Sequence, residues 1–286
     1  MSTLLLGIDG GGTHCRARIS TSDGTILGEG EAGPANTRLG LALVFDEIEQ
    51  ATQQALHAAG LAPDTIHQLR AGLGLAGLNL YSEREKTRAY PHPFASIALA
   101  SDAVIACLGA HSGQDGAVLI LGTGSCGCAI VGGKPIMVGG WGLQLSDHAS
   151  GAALGQAALR RSLLALERVI PATPLSRALM ARFLDSPEQA VLWSNTAVPR
   201  DYAALAPLVF EYAAQDDPLA LALLQETASD ATLLIEALRQ RGAPNIALLG
   251  GLAEPLRPYL PKAIQSVLST PQGDALDGAL LLARQD

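Results

Sequence analysis

Residues 4–19 decide the fold, and they read LLLGIDGGGTHCRARI. An apolar run reaches Asp9, three glycines and a threonine follow, and apolar residues then alternate with polar ones. This pattern predicts a strand, a tight glycine turn and a second strand. Residues 119–127, LILGTGSCG, repeat the plan about half a chain later. Because one plan occurs twice, the sequence predicts two similarly folded lobes.

A chain of 286 residues is long enough for two domains, and its strands and helices alternate along the first half. We predict an N-terminal lobe over residues 1–114 and a C-terminal lobe over 115–286, with a hinge near 113–116. The long helix 217–241 is predicted from Asp217 as its cap and Gly242 as its end. The final helix, about 274–286, is a candidate to pack back on the N-terminal lobe.

Charge and composition exclude several classes of protein. Lys and Arg number 19 against 27 for Asp and Glu, so no basic surplus is available for a nucleic-acid backbone. The uncharged stretch 116–133 is rich in glycine, which favours strands and turns over a membrane span. The N-terminus has no basic start, so we predict a cytoplasmic protein. The four cysteines contain no CxxC pair and are predicted to be reduced thiols.

Glycine turns suit phosphate, because backbone N–H groups approach an oxyanion closely where no side chain intervenes. The turn from Gly10 to Thr13 adds a hydroxyl, and Asp9 could orient a water molecule on Mg²⁺. A tight hairpin without a ligand is the alternative for this turn alone. A second turn at residues 122–125 and a third at 250–251 complete two phosphate cradles and a flat bed for a nucleobase.

Asp102 stands between two apolar runs, at a predicted junction of strand and helix. A carboxylate there could accept the proton of a reacting hydroxyl, or it could cap a helix that starts at Ala103. Trp141, flanked by glycines, could stack on a sugar ring or anchor packing. Asp147 and His148 lack a second His or Cys at helical spacing, which argues against a metal site.

The two phosphate-type stretches, together with IALLGGLAEP at 246–255, resemble the phosphate and adenosine motifs of the actin, Hsp70 and sugar-kinase ATPases. Within this superfamily the chain is similar to the BadF/BadG/BcrA/BcrD-type ATPases and N-acetylglucosamine kinases. Residues 92–111, 122–127, 146–152 and 198–202 are most similar to bacterial glucosamine kinases. The resemblance implies an α/β fold of two ribonuclease H-like (actin-like ATPase) lobes with a nucleotide and sugar cleft between them.

The glycine turns and the resemblance together imply two sets of site residues, one for ATP and one for the sugar. The set for ATP is Asp9, Gly10, Gly11, Gly12, Thr13, Thr123, Gly124, Ala213, Gly250 and Gly251. The set for the sugar is Asn36, Asp102, Ser125, Cys126, Gly140, Trp141, Gly142 and Asp147. Asp102 is the implied acid–base residue, and Asp9 would hold Mg²⁺ through water. His148 stands where relatives of the acetylglucosamine group often have Glu.

These observations imply an ATP-dependent kinase, with Mg²⁺, that phosphorylates the 6-hydroxyl of glucosamine. N-acetylglucosamine is the alternative acceptor. Two other classes stay open: an activator ATPase that holds an iron–sulfur cluster by cysteine at a dimer interface, and a sugar sensor without turnover. The expected partner is a small sugar, without nucleic acid or membrane, and a homodimer is an open alternative.

Overall fold

The structure is a computed structural model that describes residues 3–78 and 81–284. The chain divides into two compact units. Unit 1 comprises residues 1–118, 128–135 and 270–286, and unit 2 comprises residues 119–127 and 136–269. The chain therefore passes between the units more than once. Within the described residues, no helix is both long and apolar enough to cross a membrane.

The first sheet has five strands in the order β3-β2-β1-β4-β5. These are β1 (Leu4–Gly10), β2 (Cys15–Thr21), β3 (Ile26–Ala32), β4 (Arg70–Leu75) and β5 (Ser96–Ser101). Strands β1, β2 and β3 form an antiparallel meander, whereas β1, β4 and β5 run parallel. The helices that accompany this sheet are α1 (Leu41–Ala58), α2 (Tyr81–Arg88) and α3 (Asp102–Ala110). The carboxyl ends of the three parallel strands share one edge, which is where α/β sheets bind ligands.

The second sheet has the same plan, in the order β10-β9-β6-β7-β8. Its strands are β6 (Gly116–Leu121), β7 (Ser125–Val131), β8 (Lys134–Gly139), β9 (Ile246–Leu249) and β10 (Leu268–Ser269). Both sheets therefore place three successive strands on one side and two later strands on the other. This repetition confirms the predicted fold class of two similarly built α/β lobes. Residues 116–133 form two strands and the turns that follow them, as predicted.

Helices dominate the sequence between β8 and β9. They are α4 (Gly151–Leu166), α5 (Pro174–Ala181), α6 (Pro187–Ser194), α7 (Pro199–Ala203), α8 (Ala206–Ala213) and α9 (Pro218–Gln240). Asp217 caps α9 as predicted, because its Oδ1 accepts hydrogen bonds from the amides of Leu219 and Ala220 at 2.9 and 3.0 Å. Its Oδ2 accepts a third bond from the Leu175 amide of α5. One buried carboxylate thus joins two helix starts.

Three short helices complete the chain: α10 (Ala253–Leu256), α11 (Lys262–Gln265) and α12 (Ala275–Ala283). Helix α12 lies within unit 1, against α3 and the first sheet. A Cβ added at Gly278 would lie 1.8 Å from the Ile105 carbonyl oxygen of α3. Arg18 of β2 pairs with Asp274 and Asp277 at the start of α12, at 3.0 and 2.7 Å. Backbone contact and ion pairs therefore fix the last helix.

We expect Gly278→Ala to lower the free energy of unfolding by about 1–3 kcal/mol, because the new methyl group would overlap the Ile105 carbonyl. This overlap outweighs the roughly 1 kcal/mol that alanine gains over glycine within a helix. The measurement is urea unfolding. Gly12→Ala is the control, since a Cβ there would meet no atom within 4 Å. Equal losses in both variants would contradict close α3–α12 packing.

Candidate active site

The ends of β1 and β4 are joined by backbone hydrogen bonds at the sheet edge. The Gly10 carbonyl accepts a hydrogen bond from the Ala76 amide at 2.8 Å. The Gly11 carbonyl accepts one from the Ala35 amide at 3.0 Å. The glycine turn after β1 is therefore held against two other loops of unit 1 by backbone hydrogen bonds.

Asn36 lies in one of these loops, where it begins a single 3-10 turn. Its Oδ1 accepts a hydrogen bond from the Arg38 amide at 3.0 Å. The neighbouring Thr37 amide donates to the Ala76 carbonyl at 3.0 Å. Gly77 permits this approach, because a Cβ there would lie 2.8 Å from the Asn36 Oδ1. The sequence-predicted sugar ligand is thus positioned beside the end of β4.

The four residues of the first turn have different surroundings. Gly10 is required by packing, since a Cβ there would lie 2.6 Å from the side chain of Leu75. The Gly11 amide donates to the His14 carbonyl at 2.9 Å. Gly12 has open space beside its Cα, and Thr13 is exposed. Gly12 and Thr13 therefore form the accessible part of the predicted phosphate cradle.

Asp9 is paired with Arg16, a residue that the sequence reasoning did not single out. The Arg16 guanidinium lies 2.6 Å from Asp9 Oδ2, and the Asp9 side chain is 20% exposed. Strands β1 and β2 place these two residues directly opposite each other. The pair could have been predicted from the sequence, because residues at equal distances from a hairpin turn lie opposite each other on the two strands.

A magnesium ion brought by a nucleotide fits this donor set. Mg²⁺ usually keeps several waters and takes one or two carboxylates besides the substrate phosphates. Within residues 3–78 and 81–284, no group of three His, Cys, Asp or Glu side chains is placed to hold a metal. Asp9, whose Oδ2 is paired with Arg16, would be the carboxylate nearest such an ion, and its part in holding Mg²⁺ stays a prediction.

Asp102 is the first residue of α3, and the expectation that it could cap the helix is wrong. Ser101 is the cap, and its hydroxyl accepts a hydrogen bond from the Val104 amide at 3.4 Å. Asp102 Oδ1 accepts a bond from the Ala103 amide at 2.8 Å, and the residue is half-buried. Burial, followed by the negative charge of Asp9, raises the pKa of Asp102 above its usual 3.8.

This raised pKa predicts the pH dependence of a reaction that uses Asp102 as a base. Only the carboxylate form accepts a proton, so kcat/KM should rise with pH through the pKa of Asp102. We expect the acid limb to lie above pH 3.8, the usual pKa of the group. The measurement is the profile of kcat/KM from acidic to neutral pH on folded protein. A profile without an acid limb would contradict the assignment.

The second glycine turn, residues 122–124, lies between β6 and β7 in unit 2. Its carbonyls accept hydrogen bonds from the start of α4: the Gly151 amide donates to Gly122 at 2.8 Å, and the Ala152 amide donates to Thr123 at 3.1 Å. Thr123 is exposed. The start of α4 therefore braces the turn, and the Thr123 hydroxyl stays accessible for a phosphate.

Asp147 lies against this turn. Its side chain is packed so closely that a Cβ added at Gly124 would lie 2.8 Å from Oδ2. Asp147 is 7% exposed and adopts a positive φ of 57°. The Ser125 hydroxyl donates to the His148 carbonyl at 2.5 Å. The structure thus brings Asp147 to the adjacent residues Gly124 and Ser125, from which it is far away in the sequence.

The turn from Gly139 to Gly142 follows β8. Gly139, Gly140 and Gly142 have φ values of 72°, 78° and 92°, which glycine adopts most readily. A Cβ at Gly140 would lie 2.9 Å from Cys126 Sγ, so the turn packs on β7. Trp141 is 59% exposed. An exposed indole on a braced turn favours ring stacking over the packing alternative.

The third turn, at 250–251, packs on the end of β6. Gly250 has a φ of 92°, and a Cβ there would lie 2.4 Å from the Leu121 carbonyl oxygen. Gly251 has open space beside its Cα. Ala213 ends α8 and is only 4% exposed within an apolar helical core. Its contact with adenine stays a prediction.

Two sheets of one plan, each with a glycine turn at its first hairpin, define a protein of the actin, Hsp70 and sugar-kinase ATPase class. The model of the BadF/BadG/BcrA/BcrD ATPase family matches residues 6–283, which confirms the resemblance to that family. The chain belongs to this family.

Three relatives cover most of the chain. Glucosamine kinase GspK from Vibrio cholerae serotype O1 is 42% identical, over 97% of this chain and 95% of its own. A crystal structure from Chromobacterium violaceum, provisionally named as an N-acetylglucosamine kinase, is 38% identical with a TM-score of 0.90 over 99% of both chains. N-acetyl-D-glucosamine kinase from Dictyostelium discoideum is 26% identical over 79% of this chain and 76% of its own.

Proposed function

We propose that this protein transfers the γ-phosphate of ATP to the 6-hydroxyl of glucosamine. The observation that carries the proposal is Asp102, a half-buried carboxylate at the carboxyl end of β5 whose expected capping role belongs to Ser101. The similarity to a glucosamine kinase over almost the full chain supports the choice of reaction and substrate.

The residues of both units have separate roles in the proposed reaction. Asp102 accepts the proton of the 6-hydroxyl, and Asn36 binds a further sugar hydroxyl. The hydroxyls and amides of Thr13 and Thr123 donate to phosphate oxygens. Asp9 would hold the Mg²⁺ of the nucleotide through water, and the ion would supply positive charge to offset that of the phosphoryl group. We propose a cytoplasmic location for this ATP-dependent reaction.

The two candidate acceptors differ in the group on the second carbon of the sugar. Glucosamine carries an ammonium group, whereas N-acetylglucosamine carries a neutral and larger amide. Asp147 is a nearly buried carboxylate beside Gly124 and suits an ammonium partner. The N-acetylglucosamine kinase from Dictyostelium discoideum supports the acetylated sugar as the second candidate.

An activator ATPase is less well supported. Cys126 and Cys128 are the closely spaced cysteines of the sequence, so a shared cluster would require them as ligands. Cys128 is fully buried, and a side-chain hydrogen bond links it to Cys107. A thiol in this environment is not presented at a surface where two subunits could share a cluster. A protein with the absorbance of an iron–sulfur cluster would reopen this alternative.

The test is an assay of ATP-dependent phosphorylation with glucosamine, N-acetylglucosamine and glucose, in which the release of ADP is measured. We expect the highest kcat/KM for glucosamine. Glucose is the control for the effect of the nitrogen substituent, because it carries a hydroxyl on the second carbon. Faster turnover of N-acetylglucosamine would overturn the substrate, and absence of turnover with all three sugars would overturn the kinase assignment.

A further inference from the structure

A cavity lies in unit 2, and none of the residues that line it is among those proposed to bind ATP or the sugar. It has a volume of about 660 Å³, within the range of small-molecule sites. Helix α4 contributes Gln156 and Arg160, which are four residues apart and so share one helix face. Tyr202 of α7 and Gln144 also line it. The cavity therefore combines a cation with several hydrogen-bonding groups.

Arg160 is the charged residue in the lining of this cavity, and the lining contains no carboxylate. Among the described residues, none forms an ion pair with it. The next residue provides a contrast, because Arg161 binds both oxygens of Glu226 at 2.6 and 2.8 Å. Arg160 is exposed, so its guanidinium is accessible to an anion that enters the cavity.

The other polar groups of the cavity suit a hydroxylated ligand. The amides of Gln144 and Gln156 can both donate and accept hydrogen bonds, as can the phenol of Tyr202. The Tyr202 ring is held edge-on against Trp193, with 4.9 Å between ring centroids. This contact fixes the wall of the cavity, while Leu143 and Pro199 supply apolar surface.

We propose that this cavity is a second ligand site, which binds a sugar phosphate through Arg160. A guanidinium pairs with two oxygens of a phosphate or a carboxylate. The choice of phosphate rests on the proposed function, whose product is a sugar phosphate. Gln144 follows closely on the Gly140–Gly142 turn, so the site adjoins the loop that carries the proposed sugar contacts.

The experiment is isothermal titration calorimetry of glucosamine 6-phosphate into the full chain. A non-hydrolysable ATP analogue, Mg²⁺ and glucosamine are first added at saturation, so that the proposed kinase site is filled. We expect one further site per chain in the wild type. Arg160→Gln should weaken this binding by about 10-fold or more, the effect of losing a charged hydrogen bond.

Arg161→Gln is the matched control on the same helix, and we expect its affinity to stay within about twofold of the wild type, because its charge is paired with Glu226 near the surface. Thermal unfolding establishes that both variants are folded. Absence of the second site in the wild type, or equal losses in the two variants, would overturn the proposal.

Two further ligands identify the anion. Glucuronate carries a carboxylate on a sugar, and inorganic phosphate lacks the sugar. We expect both to bind more weakly than glucosamine 6-phosphate, and tighter binding of either would overturn the assignment of a sugar phosphate. If the proposed function is wrong, no heat of binding is measured when glucosamine is added in the first step. The titrations on the free protein then test the Arg160 site independently.

Discussion

The Asp102→Asn variant is expected to lose about 10²- to 10⁴-fold in kcat while it still binds nucleotide. Asparagine keeps the size of the side chain and can accept the hydrogen bond from the Ala103 amide. It cannot take up the proton of the sugar hydroxyl. The measurements are steady-state kinetics at saturating sugar and calorimetric binding of an ATP analogue.

Ser101→Ala is the control that separates helix capping from chemistry. It removes the Ser101 hydroxyl that accepts from the Val104 amide, so we expect a loss of about 0.5–2 kcal/mol in unfolding free energy. Its kcat should fall far less than that of Asp102→Asn. A similar fall in both variants, or more than a tenth of wild-type kcat in Asp102→Asn, would remove Asp102 from the catalytic role.

Asp147→Asn is expected to raise the KM for glucosamine, relative to the KM for glucose, by about 10- to 150-fold. This range corresponds to the roughly 1.5–3 kcal/mol of a charged hydrogen bond. Asparagine tolerates the positive φ of 57° at this position, so the loop should keep its backbone. The measurement is steady-state kinetics with both sugars, and glucose serves as the internal control.

The alternative for Asp147 is a bond to a hydroxyl that both sugars share. Equal increases in KM for glucosamine and glucose would show this, and they would remove the ammonium role without affecting the kinase assignment. Unfolding measurements on Asp147→Asn check that the residue does not act through stability, since its carboxylate packs beside Gly124.

Local sequence was sufficient for the elements that carry their own signals. The hairpin of β1 and β2 was predicted from an apolar run, a glycine turn and the alternation of apolar and polar residues. The start of α9 was predicted from Asp217 as its cap. These signals lie within a few residues of the feature they specify, because caps and turns satisfy neighbouring backbone groups.

The candidate site was only partly accessible in this way. Asp102 was found as an ionisable group between apolar runs, but whether it was a proton acceptor or a helix cap was left open, and Ser101 was not considered as the cap. Both residue types are good helix caps. The cap is the residue whose backbone is extended immediately before the first helical residue, and the sequence does not show which residue that is. The ion pair of Asp9 and Arg16 was missed, although strand register alone would predict it.

The sequence by itself determined the two-lobe plan, the glycine turns and the resemblance that names a nucleotide and a sugar. Tertiary structure alone placed the Asp147 carboxylate against Gly124, packed α12 on α3 at Gly278 and paired Arg161 with Glu226, whereas Arg160 forms no ion pair within residues 3–78 and 81–284. The physical reason is distance along the chain. Local patterns reflect hydrogen bonds between near neighbours, whereas these contacts join residues that only packing brings together.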